Sequence, residues 1–355
     1  MPLNILVTGA GGFVGGSIVA ALLDIRKTEP DAFRLFANVR RHEHALKLAK
    51  FDLVVSETDL ADDEAVTKVV LENEIDIVVH TAGIVDPNVA SNLIKALGER
   101  QRLAGTQVYY IHTSSVGLFS PEAGWPDRPV SDTDDLLPLE RELASKQPAY
   151  DADVAIGREA EAAQVPVVNV PLPMVYGKSR GEIKKLSIKI PGMVRSALKL
   201  GKVYKFDMDT RQPATHISDL TDLYLLIING IRHGKLEVDN GKVVYYFPVA
   251  HTVPWWKTMD LLAEELASRG LLGPDGDSKA EVWPSYDLAA DSLGYPKSLI
   301  RFMALARGDL RPVNSKALGW NPSWEEEKFL EGLAGEVDDI IASTESATTA
   351  FDALK

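Results

Sequence analysis

Through the first half of the chain, apolar runs of strand length alternate with stretches of helical periodicity. Asn4-Ile5-Leu6-Val7 is followed by Ile18, Ala21 and Leu22 at helical spacing, and Phe33 to Val39, Leu53-Val54-Val55, Ile75 to Val79, Val108 to His112 and Val167 to Val170 read as five further strands. Glu64 to Leu71, Ala90 to Leu103 and Ala155 to Ala163 fill the gaps with helix formers. Short unbroken apolar runs separated by amphipathic stretches predict strands buried on both faces, with helices crossing over them. The expected fold class is α/β, a doubly wound parallel sheet.

The second half follows a looser pattern. Lys184 to Leu200 reads as a basic helical stretch, His216-Ile217-Ser218-Asp219 precedes an apolar helix through Leu223, Leu225 and Ile228, and Val243 to Pro248 reads as a strand. From Pro254 onward helices dominate, broken at Gly273-Pro274-Asp275-Gly276 and at Pro284, Pro296 and Pro322. This predicts a smaller, mostly helical lobe over the sheet. The expected division is a dinucleotide-binding domain over 1–177 with a later contribution from about 214–250, a substrate-binding lobe over 178–213 and 251–342, and a Ser/Thr/Ala-rich tail at 343–355 that frays.

Composition narrows the class. The 355 residues are 45% hydrophobic, enough for a large core, and contain no cysteine, which removes disulfides, thiolate nucleophiles and sulfur-ligated metals. Seven scattered histidines suggest no metal site. A net charge of −13 argues against nucleic acid as a partner. Without a long apolar run or a basic-then-apolar start, no membrane span or secretory signal is expected, and the cytoplasm is the expected location.

The chemistry begins where the first strand ends. Thr8-Gly9-Ala10-Gly11-Gly12-Phe13-Val14-Gly15 joins that strand to an amphipathic helix, as strand, glycine turn and helix. Such a turn aims the unpaired N–H groups of the helix at a pyrophosphate. Gly9 makes the tight turn, Gly12 lets the backbone approach the phosphates, and Gly15 lets the helix lie close to the sheet. The expected ligand is a dinucleotide and the sheet is Rossmann-like.

With these residues in place the chain resembles the extended short-chain dehydrogenase/reductases, a group of NAD-dependent epimerase/dehydratase type, almost end to end. The glycine turn fits their TGxxGxxG pattern. Asp59-Leu60 matches the short motif whose carboxylate holds the adenine amino group, and His80-Thr81-Ala82-Gly83 matches the segment beneath the cofactor. Thr113-Ser114-Ser115 stands where the family keeps its catalytic hydroxyl, with Ser115 the better aligned. Val175-Tyr176-Gly177, His216 with Asp219, and Leu318-Gly319-Trp320-Asn321-Pro322 match three later segments. The resemblance implies cofactor contacts from Gly9, Gly11, Gly12, Phe13, Val14, Asp59, Leu60, Thr81, Ala82 and Gly83, and a Pro173 lining the nicotinamide face. Homodimers built through first-lobe helices are common in the family. Three of the matched residues also have a plain structural reading: Asp219 as the N-cap of its helix, His80 as a hydrogen-bonded core histidine, and Trp320 as core packing.

After the second strand the chain reads Ala37-Asn38-Val39-Arg40-Arg41, with no carboxylate to accept from a ribose 2′-hydroxyl. A guanidinium suits a 2′-phosphate, so Arg40 favours NADP over NAD; the alternative is two arginines on a solvated loop.

Family members that move hydride pair a Tyr with a Lys four residues on. Here Tyr150 is followed at that spacing by Val154, with Asp153 before it. Without the ammonium, a phenol near its reference pKa of about 10 is only roughly one-thousandth ionised at pH 7. Reduction, in which Tyr only donates a proton, suffers less than oxidation. Lys146, Arg158 and Lys178 are the candidate replacement cations. Nucleotide-sugar enzymes of the family often place an Arg just before H-x-x-D; here Gln212 stands at that spot and Arg211 one residue out of step, which favours a non-nucleotide substrate. Trp125, Met174, Tyr176, Trp255, Trp256, Trp283 and Phe302 are candidates for an apolar wall.

The expected function is an NADP(H)-dependent reductase of a ketone or aldehyde on a small organic substrate, with Ser115 polarising the carbonyl and Tyr150 donating the proton. The alternatives are a non-redox isomerase, lyase or epimerase-type enzyme that keeps its cofactor, and a nucleotide-sensing protein without chemistry.

Overall fold

The β-branched and leucine-rich runs form seven parallel strands because helices cover the sheet on both sides, leaving no polar face to alternate with. The computed structural model describes residues 2–83, 86–274 and 276–345. The strands are β1 (Leu3–Thr8), β2 (Phe33–Asn38), β3 (Val54–Ser56), β4 (Ile77–His80), β5 (Tyr109–Ser115), β6 (Val167–Leu172) and β7 (Val243–Tyr245). Across the sheet they run β7-β6-β5-β4-β1-β2-β3. Strand order reverses beside β1, which pairs with β2 on one side (Thr8 opposite Asn38) and β4 on the other (Thr8 opposite His80). A crevice opens there, above the carboxyl ends of the strands. The chain is thus a Rossmann-like α/β fold, as the alternation of runs predicts.

Helices of the first half include α1 (Phe13–Thr28), α2 (His42–Leu48), α3 (Asp63–Glu72), α4 (Pro87–Ala104) and α5 (Asp151–Ala163). Further on come α6 (Lys189–Leu200) and α7 (Ile217–Arg232). One sheet face buries Ile5, Val7, Ile77, Val79 and Ile111 against Ile18 and Leu22 of α1 and Leu220, Leu223 and Ile227 of α7. The other buries Leu6, Val78 and Tyr110 against Val66 and Val70 of α3, Leu93, Ile94 and Leu97 of α4 and Ile156 and Ala160 of α5.

Among the boundaries that differ from the sequence reading, three bear on the site. β5 runs on to Ser115, because Thr113, Ser114 and Ser115 still pair with Val170, Pro171 and Leu172. α5 begins at Asp151 rather than Ala155, directly after Tyr150. The helix expected from Lys184 starts only at Lys189, because the preceding residues are held elsewhere: the Lys185 carbonyl accepts from Ser179 N, and Lys185 N donates to the Glu345 carboxylate.

The second lobe is built on a three-stranded sheet, with Arg211–His216 between Met174–Tyr176 and His251–Pro254. Its core gathers Tyr176, Ile190, Val194, Trp255, Met259, Leu262, Phe329 and Val337. Asp219 does not cap α7. The His216 ring accepts from Ser218 N and takes that role, while the Asp219 carboxylate accepts from the backbone N–H groups of Ser323 and Trp324. Trp320, buried as expected, donates its indole N–H to the Asp219 carbonyl at 2.7 Å, so the segment around it is tied to the start of α7. Asp275 in the predicted break at 273–276, and most of the predicted frayed tail, lie outside the described residues. No helix among the described residues is long and apolar enough to cross a membrane.

Candidate active site

The glycine turn is shaped by contacts that admit no side chain. Gly9 takes a left-handed φ of +69°, and Gly12 N closes the turn on the Gly9 carbonyl at 2.8 Å. A Cβ on Gly15 would strike the Gly9 carbonyl oxygen and lie 2.5 Å from Thr81 Oγ1. Thr81 is itself pinned, donating to the Thr8 carbonyl at 2.6 Å, while Thr8 Oγ1 meets His80 Nδ1 at 2.9 Å. Burial pushes the His80 imidazole down to about 3, so it is a neutral member of this cluster. Gly12 caps α1 with no side-chain acceptor, leaving the N–H groups of Phe13 and Val14 without intrahelical partners at the crevice. This is an anion site in waiting.

Beside the turn stands a residue the sequence reading missed. His44, on α2, brings Nδ1 to 2.6 Å of where a Gly11 Cβ would be, and only 15% of its side chain is exposed. Burial, then the Arg41 charge, lower its pKa; Glu43 opposes them, and Lys47 and Lys184 add to the lowering. Arg40 follows buried Val39 and is exposed, with no hydrogen bond or ion pair among the described residues; Arg41 makes only an exposed pair with Glu43 at 3.4 Å. A histidine six residues past the end of β2 carries no motif, so only the return of α2 over the turn discloses it.

Asp59 is exposed and accepts from Ala61 N at 3.0 Å through one carboxylate oxygen. Leu60 packs at the edge of the α3/α4 core, and its carbonyl accepts from Asn92 at 3.1 Å. The segment after β4 continues through half-buried Thr81, Ala82 and Gly83, the last with φ +62°. Pro173 is buried between β6 and the small sheet.

The three hydroxyls ending β5 part ways. Thr113 meets the Tyr224 hydroxyl at 2.6 Å, and Ser114 donates to Asp153 at 2.7 Å. Ser115 is half-buried and only accepts from Gly117 N at 3.2 Å, so its own proton is uncommitted. Phe302 of the second lobe lies against Gly117, 2.9 Å from where a Cβ would be.

Tyr150 does not join Ser115. Its side chain is 0% exposed, and its hydroxyl donates to the Leu118 carbonyl at 2.5 Å, with the Ala123 carbonyl at 3.3 Å. Burial, reinforced by the Glu140 and Asp153 charges, raises the phenol above its usual range. A proton spent on a buried carbonyl in a closed apolar cluster with Trp125 and Phe119 is out of a substrate's reach. Val154 packs at the edge of the same cluster. No replacement cation enters. Lys146 is exposed and precedes α5, Arg158 pairs with Glu159 at 2.9 Å, and Lys178 pairs with Asp339 at 2.5 Å on the surface.

Asp153 instead anchors α5 to the sheet, accepting from Asn169 Nδ2 and Ser114 Oγ, both at 2.7 Å, with His112 Nε2 at 3.9 Å. Burial pushes its carboxyl up to about 6 against those two donors. Of the apolar candidates, Trp125, Tyr176, Trp255 and Trp283 are core, while Met174, Trp256 and Phe302 are half-buried. Among the described residues, no group of three or more His, Asp or Glu is gathered as a metal would need.

Comparisons with known proteins bear on the family and the fold. The pattern of the NAD dependent epimerase/dehydratase family matches residues 5–238. A curated relative, "Uncharacterized protein y4nL" of Sinorhizobium fredii (strain NBRC 101917 / NGR234), is 26% identical over 198 residues, 52% of this chain; the match spans about half, 54%, of that protein's length. Among solved structures, a DesIV double mutant (dTDP-glucose 4,6-dehydratase) from Streptomyces venezuelae with NAD and DAU bound superposes with a TM-score of 0.65 at 17% identity, covering 96% of this chain and 97% of that one. UDP-glucose 4-epimerase from Thermotoga maritima with UDP-glucose gives 0.62 at 15% identity, covering 96% and 100%. These likenesses show the shared fold. The chain belongs to the NAD dependent epimerase/dehydratase family.

Proposed function

We propose that this chain is an NADP(H)-dependent oxidoreductase that reduces a ketone or aldehyde on a small organic substrate. The observation that carries the cofactor reading is the rim of the glycine turn: unpaired Arg40, then Arg41 and His44 around the one carboxylate of Glu43, with no carboxylate among residues 37–41. The structural neighbours named above include one solved with NAD; here two guanidiniums and an imidazole suit the extra charge of a 2′-phosphate. Gly9, Gly11, Gly12, Phe13 and Val14 would hold the pyrophosphate, Asp59 and Leu60 the adenine, and Thr81, Ala82, Gly83 and Pro173 the nicotinamide half. Bound there, the cofactor would supply a hydride to the carbonyl carbon.

Ser115 is the residue to polarise the carbonyl, since its proton is the one not given to another side chain at the end of β5. The proton-donor role first given to Tyr150 is withdrawn on its geometry, and the proton reaches the product oxygen from solvent or substrate. Residues 178–213 and 251–342 provide the substrate side. A second reading, a non-redox isomerase or lyase that retains its cofactor, is favoured by Val154 and by the committed Tyr150 phenol.

Calorimetric titration with NADPH and with NADH tests the proposal. Removing Arg40's charge-assisted bonds, worth about 1.5–3 kcal/mol, should weaken NADPH binding of Arg40→Ala by roughly 10–100-fold and leave NADH unchanged. Equal affinity of the parent for both cofactors would refute the NADP assignment. Steady net NADPH consumption with a carbonyl substrate then separates the reductase from the non-redox enzyme.

A further inference from the structure

The second lobe holds a lysine that no carboxylate answers. Lys189, the first residue of α6, donates Nζ to Gln212 Oε1 and to the Met303 carbonyl at 3.0 Å, and stands 4.8 Å over the Trp255 ring. Among the described residues it has no ion-pair partner, and burial pushes its amine down to about 7. Two other cations of this lobe are committed: Arg211 to Glu326, and Lys205 to Asp260 at 2.9 Å. Gln212 is buried, with its amide nitrogen on the Ala304 carbonyl at 2.6 Å, so it orients an oxygen toward the lysine and adds no charge of its own.

Two neighbouring residues connect the amine to the end of β5. Met303, which receives the lysine, follows Phe302, which lies against the Gly117 turn beside Ser115 Oγ. Lys189 itself is half-exposed, as are Ile188 before it and Phe302 and Met303 across from it. An ammonium has three donors, and two acceptors take two of them.

We propose that Lys189 is the substrate anchor of this cleft and that it takes a single carboxylate, so that the substrate is a small organic acid bearing the reducible carbonyl. One amine beside an uncharged amide matches one negative charge. A nucleoside diphosphate carries at least two, and Arg211, the guanidinium next to Gln212, is already paired with Glu326. A carboxylate also restores the proton that burial disfavours, so binding draws a proton onto the amine. This assignment rests on the cleft beside Ser115 being the substrate side, and it is independent of which dinucleotide binds.

The test titrates the full chain with acetate, phenylacetate and phenylpyruvate, and separately with UDP-glucose, with and without NADPH. In parallel, Lys189 is mapped by mass spectrometry after methylation with formaldehyde and a borane at pH 7. We expect a carboxylate to bind, with affinity falling up to about tenfold per pH unit above pH 7 as the free amine loses its proton. Lys189→Met should lose that binding at least about tenfold, the loss of a charge-assisted bond, while NADPH affinity stays put. Methylation of Lys189 should be suppressed by the carboxylate that binds.

The anchor is overturned if no carboxylate binds, if one binds Lys189→Met equally well, if UDP-glucose binds in their place, or if Lys189 escapes methylation altogether. Loss of NADPH binding in the parent would refute the cofactor reading and leave the carboxylate result standing.

Discussion

The two halves of the crevice treat their polar groups in opposite ways. At the glycine turn, helix N–H groups and the Arg40 guanidinium are left without partners, and Arg41 and His44 share the single surface carboxylate of Glu43. At β5 and α5, Ser115 apart, the hydroxyls are turned inward: Tyr150 to Leu118, Ser114 to Asp153, Thr113 to Tyr224. An unsatisfied donor costs little at an open cleft and about 1–3 kcal/mol when buried. The first arrangement persists because water, or a ligand, completes it. In the second those three hydroxyls already have their partners, which makes them stabilising contacts and poor catalysts.

Gly15→Ala strikes the open half hardest. Its methyl would meet the Gly9 carbonyl and Thr81 Oγ1, both held by the backbone. A cost of about 1–3 kcal/mol in denaturant unfolding is expected, together with loss of the dinucleotide titration signal. Retention of both stability and binding would mean that the turn does not hold the phosphates.

Asp153→Asn probes the closed half through pH. The carboxyl rises from 3.8 to about 6 on folding, so the folded state resists ionisation and loses stability as pH climbs between those values. An asparagine can accept from Asn169 and donate to Ser114 without that penalty. Above pH 6 the variant should be more stable than the parent by an amount on the order of 3 kcal/mol, with the difference vanishing below pH 4. A pH-independent difference would show that Asp153 stays ionised in the folded protein.

Tyr150→Phe has the smallest expected effect. Leaving the Leu118 carbonyl unbonded should cost about 1–2 kcal/mol of stability, and NADPH affinity and turnover should not change. A selective loss of turnover at full stability would return Tyr150 to the chemistry.

The sequence by itself determined the sheet, the glycine turn and the absence of a Tyr–Lys pair. Each depends on neighbours close in the chain: runs of buried residues in Ile77–His80, glycines spaced by one helical turn at Gly12 and Gly15, and Val154 four residues after Tyr150. Only the tertiary structure decided which polar groups are free. Tyr150 meets a carbonyl 32 residues away, Asp219 holds backbone more than 100 residues on, and Lys189 meets Met303 across 114. His44 likewise owes its place to α2 folding back over the glycine turn. Local patterns record which backbone conformations and buried faces are favoured. Whether a hydroxyl, carboxylate or amine is available is set by what the fold brings beside it, because a buried polar group takes whatever partner satisfies it.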